Sequence, residues 1–325
     1  MRHLLVHTNT FARIETALKS FSDQLSPILI DDEGQMTRPW GESEAGSAIV
    51  FGNQDSFFSP SVQLFMQTLL GFEHLDWFQS SAAGLEHPML QMIGQKADLY
   101  TACHAQSDAI AEWVIWAGLD YFHKGRARRE AQAQRRWQRL PFRELSSTHW
   151  LIIGFGAIGQ AAGQRLKALG AQVTGVRRSG GTSIAADEII TPNAVPARLG
   201  TADAVLLCLP HSPETESLAD AAFFAAMQPG ALFVNVGRGA LVDEAALLAG
   251  LDAGRPGHAA LDVFREEPQP DTGPFWNRDD VTMTAHISAM TEQSKIRTDA
   301  IFLENLPLFL AGEPMINLVP ASAFA

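Results

Sequence analysis

The sequence has little cysteine and no long apolar run. Among its 325 residues only Cys103 and Cys208 are cysteines, and they form no CxxC pair, so neither a disulfide framework nor a zinc knuckle is predicted. The ten histidines show no ligand-spaced pair, and no metal site is expected. No apolar stretch is long enough to cross a membrane, and the amino terminus lacks the apolar core of a signal peptide. We therefore expect a cytoplasmic protein without a membrane partner.

Positive charge is also scarce. The formal net charge is −12, which repels nucleic acids and anionic membranes. One arginine-rich stretch at 126–139 runs against this balance, but its arginines are mixed with Gln and Ala and follow an apolar helical segment. The pattern is typical of a solvated helix end, so no nucleic-acid partner is predicted.

The hydrophobic pattern indicates two α/β domains. The chain is long enough for two cores, and short β-like runs alternate with helical segments over 1–105 and again over 149–284, a pattern that favours parallel sheets. The apolar segment 107–122 predicts a buried helix. A second helix is predicted over 291–312, ending at Gly312, with an apolar face made by Ile296, Ala300 and Leu303.

A glycine motif opens the second α/β series. Gly154, Gly156 and Gly159 directly follow a strand-like run and begin a helical segment. In such a motif the first glycine permits a tight turn, the second lets backbone approach a pyrophosphate, and the third lets helix and strand pack closely. The helix N-terminus offers free N–H groups to phosphates. A plain strand-turn-helix is the alternative, but the order of the elements favours dinucleotide binding.

The next strand-like run ends at Arg177, Arg178 and Ser179. An NAD-binding chain usually carries Asp or Glu there to hold the ribose hydroxyls. Two arginines and a hydroxyl suit a 2′-phosphate instead, although ordinary surface arginines would give the same pattern. The sequence thus predicts NADP(H) as the preferred cofactor, with NAD(H) as the alternative.

Unusual residues follow the end of each run in the second series. If these strands are parallel, the residues share one edge of the sheet, which is where ligands bind in open parallel sheets. They are Gly154 and Gly156, Arg177, Pro210 and His211, Gly237 and Arg238, Asp262 with Glu267, and His286.

Three of these residues form a chemically complete set for reducing a 2-oxo acid. Arg238 has a permanent, planar cation to hold a carboxylate and polarise a carbonyl. His286 can donate a proton near neutral pH, and Glu267 can orient the imidazole and favour its protonated form. Taken singly, each has a structural alternative: a turn arginine, a core histidine and a solvated carboxylate.

Seven motifs together resemble the D-isomer-specific 2-hydroxyacid dehydrogenase family. They are SSAAGLEH (80–87), the helix around Glu112, GFGAIGQ, LPHSPET (209–215), FVNVGRGALVDE (233–244), ALDVFREEP (260–268) and TAHIS (284–288). The resemblance implies an α/β fold of two Rossmann-like domains with parallel sheets. It places a dinucleotide-binding domain at 111–289, inserted into a substrate domain formed by 1–110 and 290–325.

The resemblance also implies residue roles. Arg238 would bind substrate, Glu267 rather than Glu266 would pair with the acid/base His286 because it precedes Pro268, and backbone N–H groups near Ala83 and Gly84 would bind the substrate carboxylate. Asp262 would face the nicotinamide carboxamide. The complete expected cofactor-binding set is Gly154, Phe155, Gly156, Ala157, Ile158, Gly159, Arg177, Arg178, Ser179, Leu209, Pro210, Val236, Gly237 and Asp262.

The activity that the resemblance implies is reduction of a small 2-oxo acid of the glyoxylate or hydroxypyruvate type to the D-2-hydroxy acid, in a homodimer. The alternative is a dinucleotide-sensing interaction protein, since some members of the superfamily keep the Arg, Glu and His without significant turnover. Such proteins are generally NAD-type at the ribose position, where this chain has Arg177. A hydrolase is not favoured, because no GxSxG motif occurs.

Overall fold

The chain forms two compact units in a computed structural model that describes residues 1–41, 46–82, 84–85 and 87–324. Unit 1 consists of Met1–Ala105 and Met290–Ala325, and unit 2 of Gln106–Ala289. Unit 2 is therefore inserted in sequence between the two segments of unit 1. Unit 2 begins at Gln106, directly before a helix that starts at Ser107, whereas the expected domain boundary lies after residue 110. The roles expected for the two domains remain predictions.

The strands and helices are numbered in chain order. The strands are β1 Arg2–His7, β2 Leu25–Ile30, β3 Met36–Thr37, β4 Ser47–Gly52, β5 His74–Ser80, β6 Ala97–Thr101, β7 His149–Ile153, β8 Gln172–Val176, β9 Glu188–Ile190, β10 Ala204–Leu207, β11 Leu232–Asn235, β12 His258–Leu261, β13 Val281–Met283 and β14 Leu318–Val319. The helices are α1 Thr8–Leu18, α2 Gln54–Phe57, α3 Val62–Gly71, α4 Pro88–Lys96, α5 Ser107–Phe122, α6 Gly125–Ala133, α7 Ala157–Ala168, α8 Pro196–Leu199, α9 Ala221–Ala226, α10 Glu244–Asp252 and α11 Glu292–Ala311.

Unit 1 is built on a seven-stranded sheet in the order β14-β6-β5-β4-β1-β2-β3. The five inner strands are parallel, and the two-residue edge strands β14 and β3 are antiparallel to their neighbours. The strand β2 is buried along its whole length, as expected where helices cover both faces of a parallel sheet. One apolar cluster lies on each face.

Unit 2 is built on a second seven-stranded sheet, in the order β13-β12-β11-β10-β7-β8-β9. All of its strand pairs are parallel, and apolar clusters again pack on both faces. The strand order reverses beside β7, between β10 and β8, which makes this the point of the edge where a crevice opens. The predicted class, an α/β fold of two Rossmann-like parallel sheets, is confirmed.

The helix over 291–312 was predicted with the wrong buried face. The bounds are close to those predicted, with Thr291 capping the N-terminus and Gly312 in the left-handed conformation at φ 71°. However, Ile296 is 50% exposed, Ala300 is exposed and Leu303 is only partly buried. The buried face instead contains Ser294, Thr298, Asp299, Phe302, Asn305 and Leu306.

Specific partners explain why this polar face is buried. Asp299 accepts a hydrogen bond from Arg13 Nε at 2.6 Å, and Asn305 Nδ2 donates to Gln79 Oε1 at 3.2 Å. Phe302 stacks on Phe51 with ring centroids 4.4 Å apart. Buried polar groups are tolerated when they are hydrogen-bonded, so an apolar count alone could not find this face.

Several arginines of the 126–139 stretch contact carboxylates and backbone oxygens at the protein surface. Arg129 Nη1 lies 2.6 Å from Asp120, and Arg126 pairs with Asp279. Arg128 donates to the backbone oxygens of His123 and Leu140. These contacts fit the interpretation of a solvated helix end. Across the described residues, no helix is both long and apolar enough to span a membrane.

Candidate active site

The candidate residues of unit 2 lie at the carboxyl-terminal edge of its sheet. Since all seven strands are parallel, every segment that leaves a strand at its C-terminus does so on this edge. Residues far apart in sequence are thereby brought to one rim, as the sequence predicted.

The glycine loop between β7 and α7 has the shape of a phosphate cradle. Gly154 has φ 105°, and a Cβ there would lie 2.7 Å from the backbone oxygen of Cys208. A Cβ on Gly159 would lie 2.5 Å from Gly154 O, whereas a Cβ on Gly156 would meet nothing within 4 Å. The first and third glycines are thus required by packing, and the second keeps the backbone open to a ligand.

The N-terminus of α7 completes this cradle. Its N-cap is Gly156, without a side-chain capping hydrogen bond, so its first N–H groups remain available to an anion. Ala157 is exposed and Ile158 is partly buried, whereas the Phe155 side chain is 2% exposed in the core. Phe155 therefore offers backbone rather than side chain to a cofactor. The cradle fits a dinucleotide pyrophosphate.

The loop after β8 separates the two arginines. Arg177 donates from Nε to Gly180 O at 2.5 Å and from Nη2 to Thr182 O at 3.1 Å. Its guanidinium therefore braces its own loop. Arg178 and Ser179 are exposed. Both arginines were expected to bind a 2′-phosphate, but in the structure Arg177 contacts its own loop and Arg178 is exposed.

Next along the rim, the segments after β10 and β11 border the glycine loop. Leu209 is partly buried, Pro210 is exposed and Val236 is buried. A Cβ on Gly237 would lie 2.8 Å from Leu209 O, so these two segments are in close contact. Glycine is required at position 237 for this approach.

His286 and Glu267 form a hydrogen-bonded pair. Glu267 Oε2 lies 2.8 Å from His286 Nδ1, and Glu267 Oε1 accepts from the backbone N–H of Phe264 at 2.9 Å. Glu267 rather than Glu266 makes this contact. Because Nδ1 faces the carboxylate, Nε2 is the ring nitrogen left to meet a ligand.

The pair changes the pKa values of both groups. The hydrogen bond from Glu267 is the main cause that raises the pKa of His286, and the charges of Glu267 and Asp262 add to it, whereas burial and Arg238 oppose it. Burial acts to raise the pKa of Glu267, but the hydrogen bonds from His286 and the Phe264 N–H hold it below its ordinary value. Both shifts favour an imidazolium–carboxylate pair.

Asp262 holds the segment that carries His286. Its side chain accepts hydrogen bonds from Thr284 Oγ1 at 2.6 Å, Ile287 N at 2.9 Å, Ser288 N at 3.1 Å and Ser288 Oγ at 2.5 Å. Its backbone oxygen accepts from His286 N at 2.8 Å. His286 itself has φ 53°. Residues other than glycine adopt this left-handed backbone conformation only at an energetic cost.

These contacts hold the 284–288 segment in place, so they give Asp262 a positioning role besides its expected contact with the nicotinamide carboxamide. The four side-chain hydrogen bonds described above all go to the 284–288 segment, and the contact of Asp262 with a nicotinamide carboxamide remains a prediction. Sequence reasoning did not single out Thr284 or Ser288, although both lie at the motif TAHIS.

Arg238 is held by a residue that sequence reasoning missed. Asn235 Nδ2 donates to Arg238 O at 2.9 Å, and Asn235 Oδ1 accepts from Gly237 N at 3.0 Å. Arg238 is partly buried, and its Nη1 donates to Gly237 O at 2.8 Å. The positive charge of Arg238 acts to lower the pKa of His286 and so opposes the increase that Glu267 causes. The available sequence signal was a polar asparagine directly after the apolar run 231–234.

A network around Glu216 and Arg265, which sequence reasoning did not single out, joins three loops of this edge and includes His211, which it did. Glu216 lies 2.7 Å from His211 Nε2 and 2.9 Å from Arg265 Nη1. Arg265 also donates to Val242 O at 2.6 Å and to Ser217 Oγ at 2.5 Å. This network fixes the 209–217 loop to the loop that carries Glu267.

The predicted carboxylate-binding segment lies in unit 1, after β5. Gly84 is partly buried, and Ala83 lies outside the described residues. The neighbouring Ala82 O accepts from Cys103 N at 3.0 Å. Among the residues that are described, no group of His, Cys, Asp and Glu could hold a metal ion.

Comparison with known proteins identifies the class. The family model described as "D-isomer specific 2-hydroxyacid dehydrogenase, NAD binding domain" matches residues 115–288, more than half of the chain. An uncharacterized protein of Corynebacterium melassecola is 32% identical over 77% of this chain and 84% of its own length. Glyoxylate/hydroxypyruvate reductase A of Yersinia enterocolitica is 32% identical over 64% of this chain and 66% of its own length.

A solved structure extends the match to the whole fold. The D-isomer specific 2-hydroxyacid dehydrogenase of Xanthobacter autotrophicus Py2, in complex with NADPH and MES, aligns with a TM-score of 0.77 and 26% identity over 100% of this chain and 99% of that one. The chain therefore belongs to the D-isomer specific 2-hydroxyacid dehydrogenase family, whose members are NAD(P)-dependent oxidoreductases.

Proposed function

We propose that this protein reduces a small 2-oxo acid of the glyoxylate or hydroxypyruvate type to the D-2-hydroxy acid, using NADPH in preference to NADH. The observation that carries the proposal is the His286–Glu267 pair at 2.8 Å on the same sheet edge as the glycine cradle and Arg238. The similarity to a glyoxylate/hydroxypyruvate reductase supports the substrate class, and the similarity to an NADPH complex supports the cofactor.

Cofactor binding follows from the cradle. The backbone of Gly154–Gly159 and the free N–H groups of α7 would hold the pyrophosphate. The exposed Arg178 and Ser179 would bind the 2′-phosphate, and Arg177 would hold their loop in shape through Gly180. When bound, the cofactor supplies a hydride to carbon 2 of the substrate.

Proton transfer is the task of His286. In the imidazolium form Nδ1–H donates to Glu267, and Nε2–H can donate to the carbonyl oxygen of the substrate. The raised pKa of His286 favours the form that carries this proton. In the oxidative direction the neutral imidazole would accept the proton back at Nε2.

Substrate orientation is the task of Arg238. Its guanidinium can hold the carboxylate in a bidentate contact and stabilise negative charge that develops on the carbonyl oxygen. Backbone N–H groups at Ala83 and Gly84 are proposed as further carboxylate ligands. We also propose a cytoplasmic location and a homodimer, and light scattering of the purified protein would test the homodimer.

The direct test is oxidation of NADPH and NADH with glyoxylate, hydroxypyruvate, pyruvate and a bulky 2-oxo acid. We expect the small acids with NADPH to be turned over fastest. His286→Ala should lower kcat by roughly 100-fold or more, as loss of a general acid does, while NADPH binding is retained. If the parent protein binds NADPH tightly but turns over none of the acids, the sensor alternative replaces this proposal.

A further inference from the structure

Arg265 uses all three nitrogens of its guanidinium in contacts with other loops of unit 2. Its Nε donates to Val242 O at 2.6 Å, and its Nη2 donates to Ala240 O at 3.1 Å. The same Nη2 donates to Ser217 Oγ at 2.5 Å. Its Nη1 lies 2.9 Å from Glu216 Oε1. One side chain thus joins its own loop to two others.

Each of these loops contributes to the candidate active site. They are the 209–217 loop with part of the expected cofactor-binding set, the 236–243 loop with Arg238, and the 263–268 loop with Glu267. The three loops follow the neighbouring strands β10, β11 and β12. A long side chain on the last loop can therefore reach the other two. Arg265 itself belongs to neither the cofactor-binding nor the catalytic set above.

The 236–243 and 263–268 loops are also in direct backbone contact. A Cβ on Gly239 would lie 1.9 Å from Phe264 C and 2.4 Å from Arg265 N, so glycine is required there for the two loops to approach. Arg265 N donates to Glu244 Oε1 at 2.9 Å. The backbone at 264–265 is therefore held both by the loop that carries Arg238 and by the first residue of α10.

This backbone positions the Glu267 carboxylate. Phe264 N donates to Glu267 Oε1 at 2.9 Å, and Glu267 Oε2 lies 2.8 Å from His286 Nδ1. Movement of the backbone at 264–265 would therefore move the carboxylate away from the histidine. A misplacement of about 1 Å can lower the rate of an enzymatic reaction by about 100-fold. Arg265 can thus affect the reaction through Glu267 without touching the substrate.

The shape of the guanidinium matters more here than its charge. The side chains of Arg265 and Glu216 are 35% and 42% exposed, and solvent screens an ion pair at such a surface, so the pair adds little to stability. The planar guanidinium presents donors in fixed directions to several acceptors at once. Lysine carries the same charge, but all its donors are on one nitrogen, so it cannot meet these acceptors together.

We propose that Arg265 is a positioning residue for the reaction. Its guanidinium fixes the 236–243 loop against the 263–268 loop and so sets the geometry in which Arg238 and the His286–Glu267 pair meet the substrate. This inference rests on the proposed dehydrogenase activity, because it assigns a role in that reaction.

Replacement of Arg265 by methionine and by lysine in the full chain tests the proposal. Arg265→Met removes every guanidinium contact, whereas Arg265→Lys keeps the positive charge but not the planar set of donors. We expect both variants to lower kcat/KM for glyoxylate with NADPH by roughly 10- to 100-fold. An unchanged kcat/KM in Arg265→Met overturns the proposal. Full activity in Arg265→Lys also overturns it, because the effect would then depend on charge.

NMR titration of His286 provides a readout that needs no turnover, with its signal assigned by comparison with His286→Ala. Glu267, Asp262 and Arg238 are the charged groups that act on the pKa of His286. A looser contact with Glu267 lowers this pKa toward its ordinary value of about 6.5, whereas loss of the Arg265 charge alone would raise it. We therefore expect a lower pKa of His286 in Arg265→Met. An unchanged or raised pKa overturns the proposal.

Arg278→Met is the matched control variant. Arg278 Nη2 lies 2.8 Å from Asp252 Oδ1 and 2.7 Å from Asp280 Oδ2, so this arginine also joins two segments of unit 2. However, it precedes β13 and lies at the opposite edge of the sheet. Arg278→Met should keep the kcat/KM and the His286 pKa of the parent protein, and losses equal to those of Arg265→Met overturn the proposal. If the parent protein turns over no 2-oxo acid, the proposed function fails, whereas the titration of His286 still decides the role of Arg265.

Discussion

Replacing Asp262 by alanine should disable His286 without changing any atom of the histidine. The Asp262 side chain is the shared acceptor for Thr284 Oγ1, Ile287 N, Ser288 N and Ser288 Oγ, and the residue is 1% exposed. Alanine leaves these donors without that acceptor. The segment would then be free to leave the conformation that gives His286 φ 53°.

The expected magnitudes follow from those contacts. Ser288 is 7% exposed, and its backbone N–H costs about 1–3 kcal/mol when it is left unpaired, whereas Ile287 is 47% exposed and water can meet its N–H. We therefore expect the free energy of unfolding to fall by about 1–3 kcal/mol, measured by urea denaturation followed by tryptophan fluorescence. A displacement of His286 by about 1 Å would lower kcat by roughly 100-fold, measured by NADPH oxidation with glyoxylate.

Asp203→Ala separates positioning from stability. Asp203 is also buried, and it accepts from Arg143 at 2.7 and 2.8 Å and from His149 N at 2.9 Å, but it precedes β10 and lies at the opposite edge of the sheet. The Asp203→Ala variant should show a comparable fall in its free energy of unfolding, and its folded molecules should keep the turnover rate of the parent protein. If Asp262→Ala loses turnover only to the extent that Asp203→Ala does, the positioning role is refuted.

Three further predictions concern charge. Reduction requires the imidazolium form of His286, which is lost as pH rises through its raised pKa. Glu267→Gln should lower that pKa, so the fall in kcat with rising pH should move to lower pH. An unchanged pH profile would contradict the pairing of Glu267 with His286. Both groups are partly exposed, so solvent screening will moderate the change. Arg178→Asp should change the NADPH/NADH ratio of kcat/KM by about 10- to 100-fold toward NADH, whereas an unchanged ratio would place the 2′-phosphate elsewhere. Burial raises the pKa of Cys208 to about 12, so its thiol should resist iodoacetamide at mildly alkaline pH until the chain unfolds; rapid alkylation of the folded protein would show that the thiol is accessible and ionised.

Local patterns predicted most of the fold. Apolar runs such as 149–153 and 204–207 became strands because a strand covered on both faces by helices needs apolar residues along its length. The segment 107–122 became α5 with the predicted bounds. Two short strands carry little apolar pattern of their own: β6 contains the exposed Asp98 and Leu99, and β9 has three residues at the sheet edge. Such strands depend on pairing with a neighbour more than on their own composition.

The sequence by itself determined which residue types reach the candidate site. Gly154 and Gly159 are required by backbone geometry that only glycine satisfies, and Arg238 and His286 follow strand ends that a parallel sheet must bring to one edge. These inferences depend on local pattern and on strand direction, which the sequence carries directly.

Only the tertiary structure decided which atoms meet. The Glu267–His286 hydrogen bond joins loops that follow different strands. Arg177 donates to its own loop, whereas Arg178 is exposed. The buried face of α11 includes Asp299 because Asp299 pairs with Arg13, a residue 286 positions away. Hydrogen bonds between distant residues depend on strand order and packing. Since neither is a property of any short segment, the sequence pattern alone could not specify them.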